Sequence, residues 1–130
     1  MDGIATLYKP KDIQEIEAFI LSFLTTNSLT QKDIDLVITG KNCDAKEDKT
    51  YEEIQQGIFS NNQLIHYKNL CGEYPTSVSF ALWMAANILK TGTVPAATGY
   101  QGPKQNKLKK LLIYNHYQQT HHSLLLVSGC

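Results

Sequence analysis

Apolar residues recur along this chain with two different periods, and the changes of period mark out its elements. From Asp12 to about Thr25 they return every three or four residues, which is the period of an amphipathic helix. A second helix is predicted to open at Asp48 or Thr50, because Thr50 and Glu53 match the spacing of a capping box. The apolar positions of the first helix are Ile13, Ile16, Ile20, Phe23 and Leu24.

The most apolar stretch lies near the middle of the chain, between Val78 and Leu89. Its apolar residues fall on nearly every side of a helix, and such a helix is normally buried on every side. Pro75 suits a first turn, where the missing N–H is not needed, and Gly92 follows the stretch. We therefore predict a buried third helix that ends before Gly92.

Short runs rich in β-branched and leucine residues predict strands between and after the helices. They cover residues 34–39, 64–67, 111–114 and 123–127, and residues 3–8 are a further candidate. The last two runs are separated by a polar connection over residues 115–122. Strands that alternate with helices and end in a hairpin-like pair favour an α/β fold with a mixed sheet. The length of 130 residues predicts one domain over residues 1–130.

Composition narrows the class of function. Apolar residues make up 42% and charged residues 18%, as in globular proteins, and the formal net charge is zero. Nothing electrostatic therefore indicates nucleic acid or a membrane surface as a partner. The third helix is too short to span a bilayer. Cys43, Cys71 and Cys130 have no CxxC spacing, which predicts free thiols and a cytoplasmic location.

Three polar loops follow predicted strands, over residues 40–48, 66–75 and 115–122. Loops at the carboxyl ends of strands meet in α/β folds, so we expect a site there. His121 and His122 are adjacent and should point to opposite faces of a strand, so a metal site is not expected. His116 is a candidate general acid or base, or a hydrogen-bonded turn residue. Glu73 either caps the third helix or pairs with Lys68.

In order and spacing, these segments resemble the C-terminal half of the β-ketoacyl-[acyl-carrier-protein] synthases, the condensing enzymes of the thiolase-like fold. DIDLV at residues 33–37 leads into a loop that reaches Asp48. KNLCGE at residues 68–73 precedes the apolar helix, and GTVP at residues 92–95 follows it. HYQQ at residues 116–119 lies between the last two strands. The resemblance covers nearly the whole chain, although no single motif is intact.

The resemblance implies a three-layer, thiolase-like half with a mixed five-stranded sheet and helices on both faces. Lys68, Glu73 and His116 occupy the matching loop positions, and we expect them to form the site. The two histidines that the family uses fall on Gly40 and Glu73 here. The family's nucleophilic cysteine belongs to its N-terminal half, which the resemblance does not reach. The resemblance implies no cofactor and no metal.

A non-catalytic partner is the function that this pattern implies, comparable to the chain-length factors of fatty acid or polyketide-type synthesis. Its expected partners are an acyl carrier protein and either a second copy of the chain or a synthase half or subunit. One alternative is an active 3-oxoacyl-[acyl-carrier-protein] synthase that uses Glu73, His116 and a cysteine from outside the chain. The other is a stand-alone acyl- or protein-binding module.

Overall fold

A mixed β-sheet forms the centre of the computed structural model, which describes residues 3–40, 45–60, 62, 64–66, 77–91, 108–117 and 121–128. In the described part, five strands lie in the order β1-β5-β4-β2-β3. The pairs β2–β3 and β2–β4 are parallel, whereas β1–β5 and β4–β5 are antiparallel. The strands are β1 Gly3–Tyr8, β2 Leu36–Thr39, β3 Leu64–His66, β4 Lys110–Tyr117 and β5 His121–Ser128.

Three α-helices accompany the sheet in the described residues, namely α1 Ile13–Thr26, α2 Ala45–Gln56 and α3 Ser77–Thr91. The start of α1 is capped from both directions. The Asp12 carboxylate accepts a hydrogen bond from the Glu15 N–H, and the Glu15 carboxylate accepts one from the Lys11 N–H, each at 2.9 Å. These two bonds satisfy N–H groups that lack a partner within the helix.

Two hydrophobic clusters lie on opposite faces of the sheet. One joins α1 and α2 to alternate residues of the strands, such as Leu112 and Leu124. The other joins α3 to the intervening residues, such as Leu111, Ile113 and Leu125. Because successive side chains of a strand point to opposite faces, uninterrupted apolar runs in β4 and β5 supply both clusters.

A side-chain clamp holds β2 and β4 together where both begin. The Asp35 carboxylate accepts hydrogen bonds from the backbone N–H groups of Lys109 and Lys110, at 2.8 and 3.0 Å. The Asp35 N–H in turn donates to the Lys110 carbonyl at 2.9 Å. These bonds fix the parallel register, in which Leu36 lies beside Leu111.

The observed elements differ from the sequence predictions at several boundaries. Helix α2 begins at Ala45, before Asp48 and Thr50, so the predicted capping box at Thr50 is wrong. Strands β4 and β5 extend through most of the connection predicted over residues 115–122. Hydrogen bonding between the two strands extends them beyond their apolar centres, and His116, His121 and His122 therefore lie in strands.

Helix α3 is buried on one face only, which corrects the prediction of burial on every side. Ala81, Met84, Ala85 and Ile88 face the sheet and are almost fully buried. Trp83, on another side, is 61% exposed. The apolar surface of this helix thus exceeds what the sheet covers. The helix that should be enclosed between two thiolase-like halves has an open outer face.

The fold assignment is corrected accordingly. The structure supports a small α/β domain in which the described residues form three α-helices and a mixed sheet of five strands. The sheet has helices on both faces, but the assignment of this arrangement as a thiolase-like half is wrong. The extent of the domain over residues 1–130 stays a prediction. Among the described residues, no helix has the length and apolar character needed to cross a bilayer.

Candidate functional site

A buried cluster of tyrosine and histidine side chains lies where β4 and β5 leave the apolar centre of the sheet. Tyr114 and His116 come from β4, and His122 lies on β5 directly opposite His116. Tyr51 reaches the cluster from α2. The side chains of these four residues are all at most 2% exposed. Buried polar groups need internal partners, so their hydrogen bonds define what the cluster can do.

Tyr114 and His122 form a hydrogen-bonded pair on the face of the sheet that α1 and α2 cover. The Tyr114 hydroxyl and His122 Nδ1 are 2.8 Å apart. Burial raises the pKa of the Tyr114 hydroxyl well above its ordinary value, because an ionised phenolate would lose its hydration. The hydroxyl therefore keeps its proton at neutral pH and can donate it in the bond to Nδ1.

The Tyr51 side chain continues the hydrogen bonding along β4 beyond the end of β2. The parallel pairing of β2 with β4 stops at Thr39 and Tyr114. Two residues further along β4, the His116 N–H donates to the Tyr51 hydroxyl oxygen at 2.9 Å. The Tyr51 hydroxyl is also 3.4 Å from Asn115 Oδ1. The Tyr51 hydroxyl from α2 thus accepts the hydrogen bond that a backbone carbonyl of β2 would accept if that strand continued.

The rings of the cluster are stacked against one another. Tyr51 and His116 are nearly parallel, with ring centroids 4.6 Å apart and an interplanar angle of 14°. His116 and His122 have ring centroids 5.3 Å apart. The four rings therefore form one contiguous aromatic cluster at this end of the sheet.

A cleft of about 210 Å³ reaches this cluster from the surface. It lies between the start of α1 and residues 49–53 of α2, and His122 forms part of its wall. Its charged lining carries both signs, with Lys11 and Lys49 beside Asp12 and Glu53. Such a lining suits a small polar ligand that has both donors and acceptors.

The structure places only one of the three predicted site residues. His116 lies in β4 as a 1% exposed ring stacked on Tyr51. Lys68 and Glu73 lie outside the described residues, as does most of the loop over residues 66–75. Gly40, matched to a family histidine, is buried directly after β2. The catalytic role of Lys68, Glu73 and His116 stays a prediction.

Sequence reasoning missed three members of the cluster. It included Tyr114 only as part of a predicted strand, it did not single out Tyr51 as a site residue, and it considered His122 only as a metal ligand. The available signal was the polar atom on each tyrosine, since a buried phenol needs a hydrogen-bond partner. Of the two adjacent histidines, His121 is exposed and His122 buried, as the alternation of a strand requires. In the part of the chain that is described, no three His, Cys, Asp or Glu side chains group as metal ligands.

Comparisons with known proteins find a likeness in fold but none in sequence. No protein-family model matches the chain, and no curated protein matches it. A chain of a solved structure matches it with a TM-score of 0.74 and 13% identity. That structure is described as "AntDE:AntF (apo): type II PKS acyl-carrier protein in complex with its ketosynthase bound to the hexaketide". The match covers 99% of the present chain but only 38% of the other.

These findings correct the family assignment made from the sequence. The solved structure is described as an acyl-carrier protein in complex with a ketosynthase. An identity of 13% shows a likeness in fold alone. The assignment to the C-terminal half of a β-ketoacyl synthase, as chain-length factor or as active synthase, is therefore withdrawn. The comparison also gives no support to an acyl carrier protein as the partner of this chain. What it shows is an α/β fold also found in a polyketide synthase complex.

Proposed function

We propose that this protein is a non-catalytic binding subunit of a polyketide-type synthase assembly and that it binds a ketosynthase. The observation that carries the proposal is the structural match, which extends over 99% of the chain. The matched structure is described as a complex that includes a ketosynthase. A role in binding requires a folded surface and no acid–base group, in keeping with a His116 ring that is enclosed by other rings. We place the protein in the cytoplasm, as its cysteine pattern predicts.

The exposed face of α3 is the surface that best suits such an interaction. Trp83 is 61% exposed, and its ring centroid lies 5.6 Å from that of Phe80, one turn earlier. The Asn87 side-chain amide donates to the Trp83 carbonyl at 2.9 Å on the same side of the helix. A large aromatic ring in water is unfavourable, and tryptophan is enriched among residues that dominate binding energy. The opposite face of α3 is held on the sheet, so the ring is presented from a rigid support.

A direct binding measurement tests the proposal. Calorimetric titration of the protein with a purified type II polyketide ketosynthase should give saturable binding. Trp83→Ala should weaken it by about 30-fold, because truncating a dominant interface residue costs roughly 2 kcal/mol.

Leu21→Ala is the matched control for that experiment. Leu21 is also apolar and 38% exposed, but it lies on α1, on the other face of the sheet. Its replacement should leave the affinity unchanged. Absence of binding by the unmodified protein would overturn the proposed function. An equal loss of affinity in the two variants would overturn the proposed surface.

A further inference from the structure

Strand β1 is an edge strand, and its outer side is open in the described part of the molecule. It pairs with β5, and no other described strand lies beside it. An antiparallel edge strand directs alternate N–H and C=O groups away from its neighbour, where another strand can bind them. Proteins commonly block such edges with proline or lysine. The six residues of β1, GIATLY, contain neither.

A groove lies along the first half of this edge. Its volume is about 350 Å³, and it is bounded by Gly3, Ile4 and Ala5 of β1 on one side. The other side is formed by α1, including the rings of Phe19 and Phe23. Gly3 and Ala5 have little or no side chain, so an added strand can approach the backbone and insert a side chain beside it. Addition of a strand to an open edge is a known mode of recognition.

The exposed side chains of β1 match one another. Ile4 is 60% exposed and Tyr8 62%, and they lie two residues before and two residues after Thr6, on one face of the strand. In an antiparallel pair centred on Thr6, Ile4 of each copy faces Tyr8 of the other. β-Branched and aromatic residues are favourable cross-strand partners. The same register sets Leu7 of each copy opposite the small Ala5, on the face of the groove.

We propose that β1 pairs with β1 of a second copy of this chain, with the two-fold axis at Thr6. The two sheets then form one continuous sheet of ten described strands. A second copy is favoured over a foreign peptide because the exposed residues of β1 complement each other in one register. Charge does not oppose the association, since β1 has no charged side chain and the chain has a formal net charge of zero.

Sedimentation equilibrium over a series of concentrations tests the association itself. The mass should rise from that of one chain to that of two as the concentration increases. A pairing of six-residue strands is a small interface, so dissociation on dilution is expected. A single-chain mass at every concentration would overturn the proposal.

Cysteine cross-linking tests the register. After oxidation of Thr6→Cys, peptide mapping should show a disulfide between the two copies of residue 6, whose Cα atoms are expected within the 4.4–6.8 Å that a disulfide spans. Ile4→Cys should give no such link, because its two copies are offset by four residues, about 14 Å. A residue 4 to residue 4 disulfide, or none at residue 6, would contradict the proposed axis.

Charges introduced into β1 distinguish edge pairing from other kinds of association. Replacing Ile4 and Tyr8 both by glutamate places like charges opposite each other twice and should yield a single chain. Ile4→Lys combined with Tyr8→Glu places opposite charges together and should restore the dimer. Ala86→Glu, on the exposed side of α3, is the control and should leave the dimer intact. A dimer that survives the double glutamate variant would refute the pairing.

Discussion

Replacing Tyr114 by phenylalanine removes one buried hydroxyl and leaves the ring in place. The variant loses the hydrogen bond to His122 Nδ1, which measures 2.8 Å. Both residues are at most 2% exposed, so water cannot easily replace the lost partner. The expected cost is about 1–3 kcal/mol for the loss of one partner from a buried hydrogen bond. With an unfolding entropy of about 2.1 cal/mol/K per residue, or ~0.27 kcal/mol/K for 130 residues, Tm should fall by about 4–11 °C.

The same variant should also change how stability depends on pH. Burial raises the pKa of Tyr114 in the folded state, whereas in the unfolded chain it ionises near pH 10. Above pH 10 the unfolded state therefore binds fewer protons than the folded state, and the free energy of unfolding falls as pH rises. The loss from this one group is on the order of 1 kcal/mol at pH 11. The Tyr114→Phe variant has no hydroxyl to ionise at this position. The difference between the two proteins in free energy of unfolding should therefore be smaller at pH 11 than at pH 8 by that amount.

Urea denaturation at pH 8 and pH 11, followed by circular dichroism in a reducing buffer, measures both effects. Subtracting the two proteins at each pH cancels the titration of every other group that both share. A stability difference that is the same at pH 8 and pH 11 would refute the reasoning. Tyr8→Phe, at a 62% exposed position, is the control and should change stability by less than about 0.5 kcal/mol.

Three further predictions concern the framework around the cluster. Tyr51→Phe leaves a buried backbone N–H of β4 without its acceptor and should cost about 1–3 kcal/mol in urea unfolding; an unchanged midpoint would show that water substitutes there. Ile20→Ala, at a fully buried position, should cost about 2–5 kcal/mol, whereas Leu21→Ala on the exposed side of the same helix should cost far less; equal losses would contradict the packing. Asp35→Ala should cost about 1 kcal/mol and speed amide hydrogen exchange at the start of β4, and unchanged exchange there would exclude the clamp.

The sequence predicts the elements of this fold where local pattern and tertiary burial agree. Helix α1 is an example, since the apolar stripe predicted from Asp12 onwards forms a helix over Ile13–Thr26 whose buried residues belong to that stripe. Helix α3 is the opposite case. Its apolar residues lie on nearly every side, and only the structure shows that one side is covered and Trp83 is not. The periodicity of a sequence shows where its apolar residues lie on a helix, but it cannot show which of them pack against another element.

The candidate site could not be assembled from sequence because its contacts are long-range. Tyr51 and His116 are 65 residues apart along the chain, and the His122 partner depends on the hairpin register. The polar character of residues 115–122 predicted a connection, whereas cross-strand hydrogen bonds extend the strands through it. The order and spacing of the loops supported a family resemblance that neither family models nor an identity of 13% sustain.

The pairing of β1 with β5 has a consequence for the time course of folding during synthesis. β1 is complete at Tyr8, but its partner strand begins only at His121, 113 residues later. At about 5–20 residues per second, the ribosome needs roughly 6–23 s to make the intervening chain. Until then β1 lacks its partner strand β5, whereas contacts with α1, such as that of Phe23 near Gly3, can form earlier. Among the described strands, β1 therefore waits longest for a partner, so slower translation should lengthen the time during which β1 is exposed to aggregation.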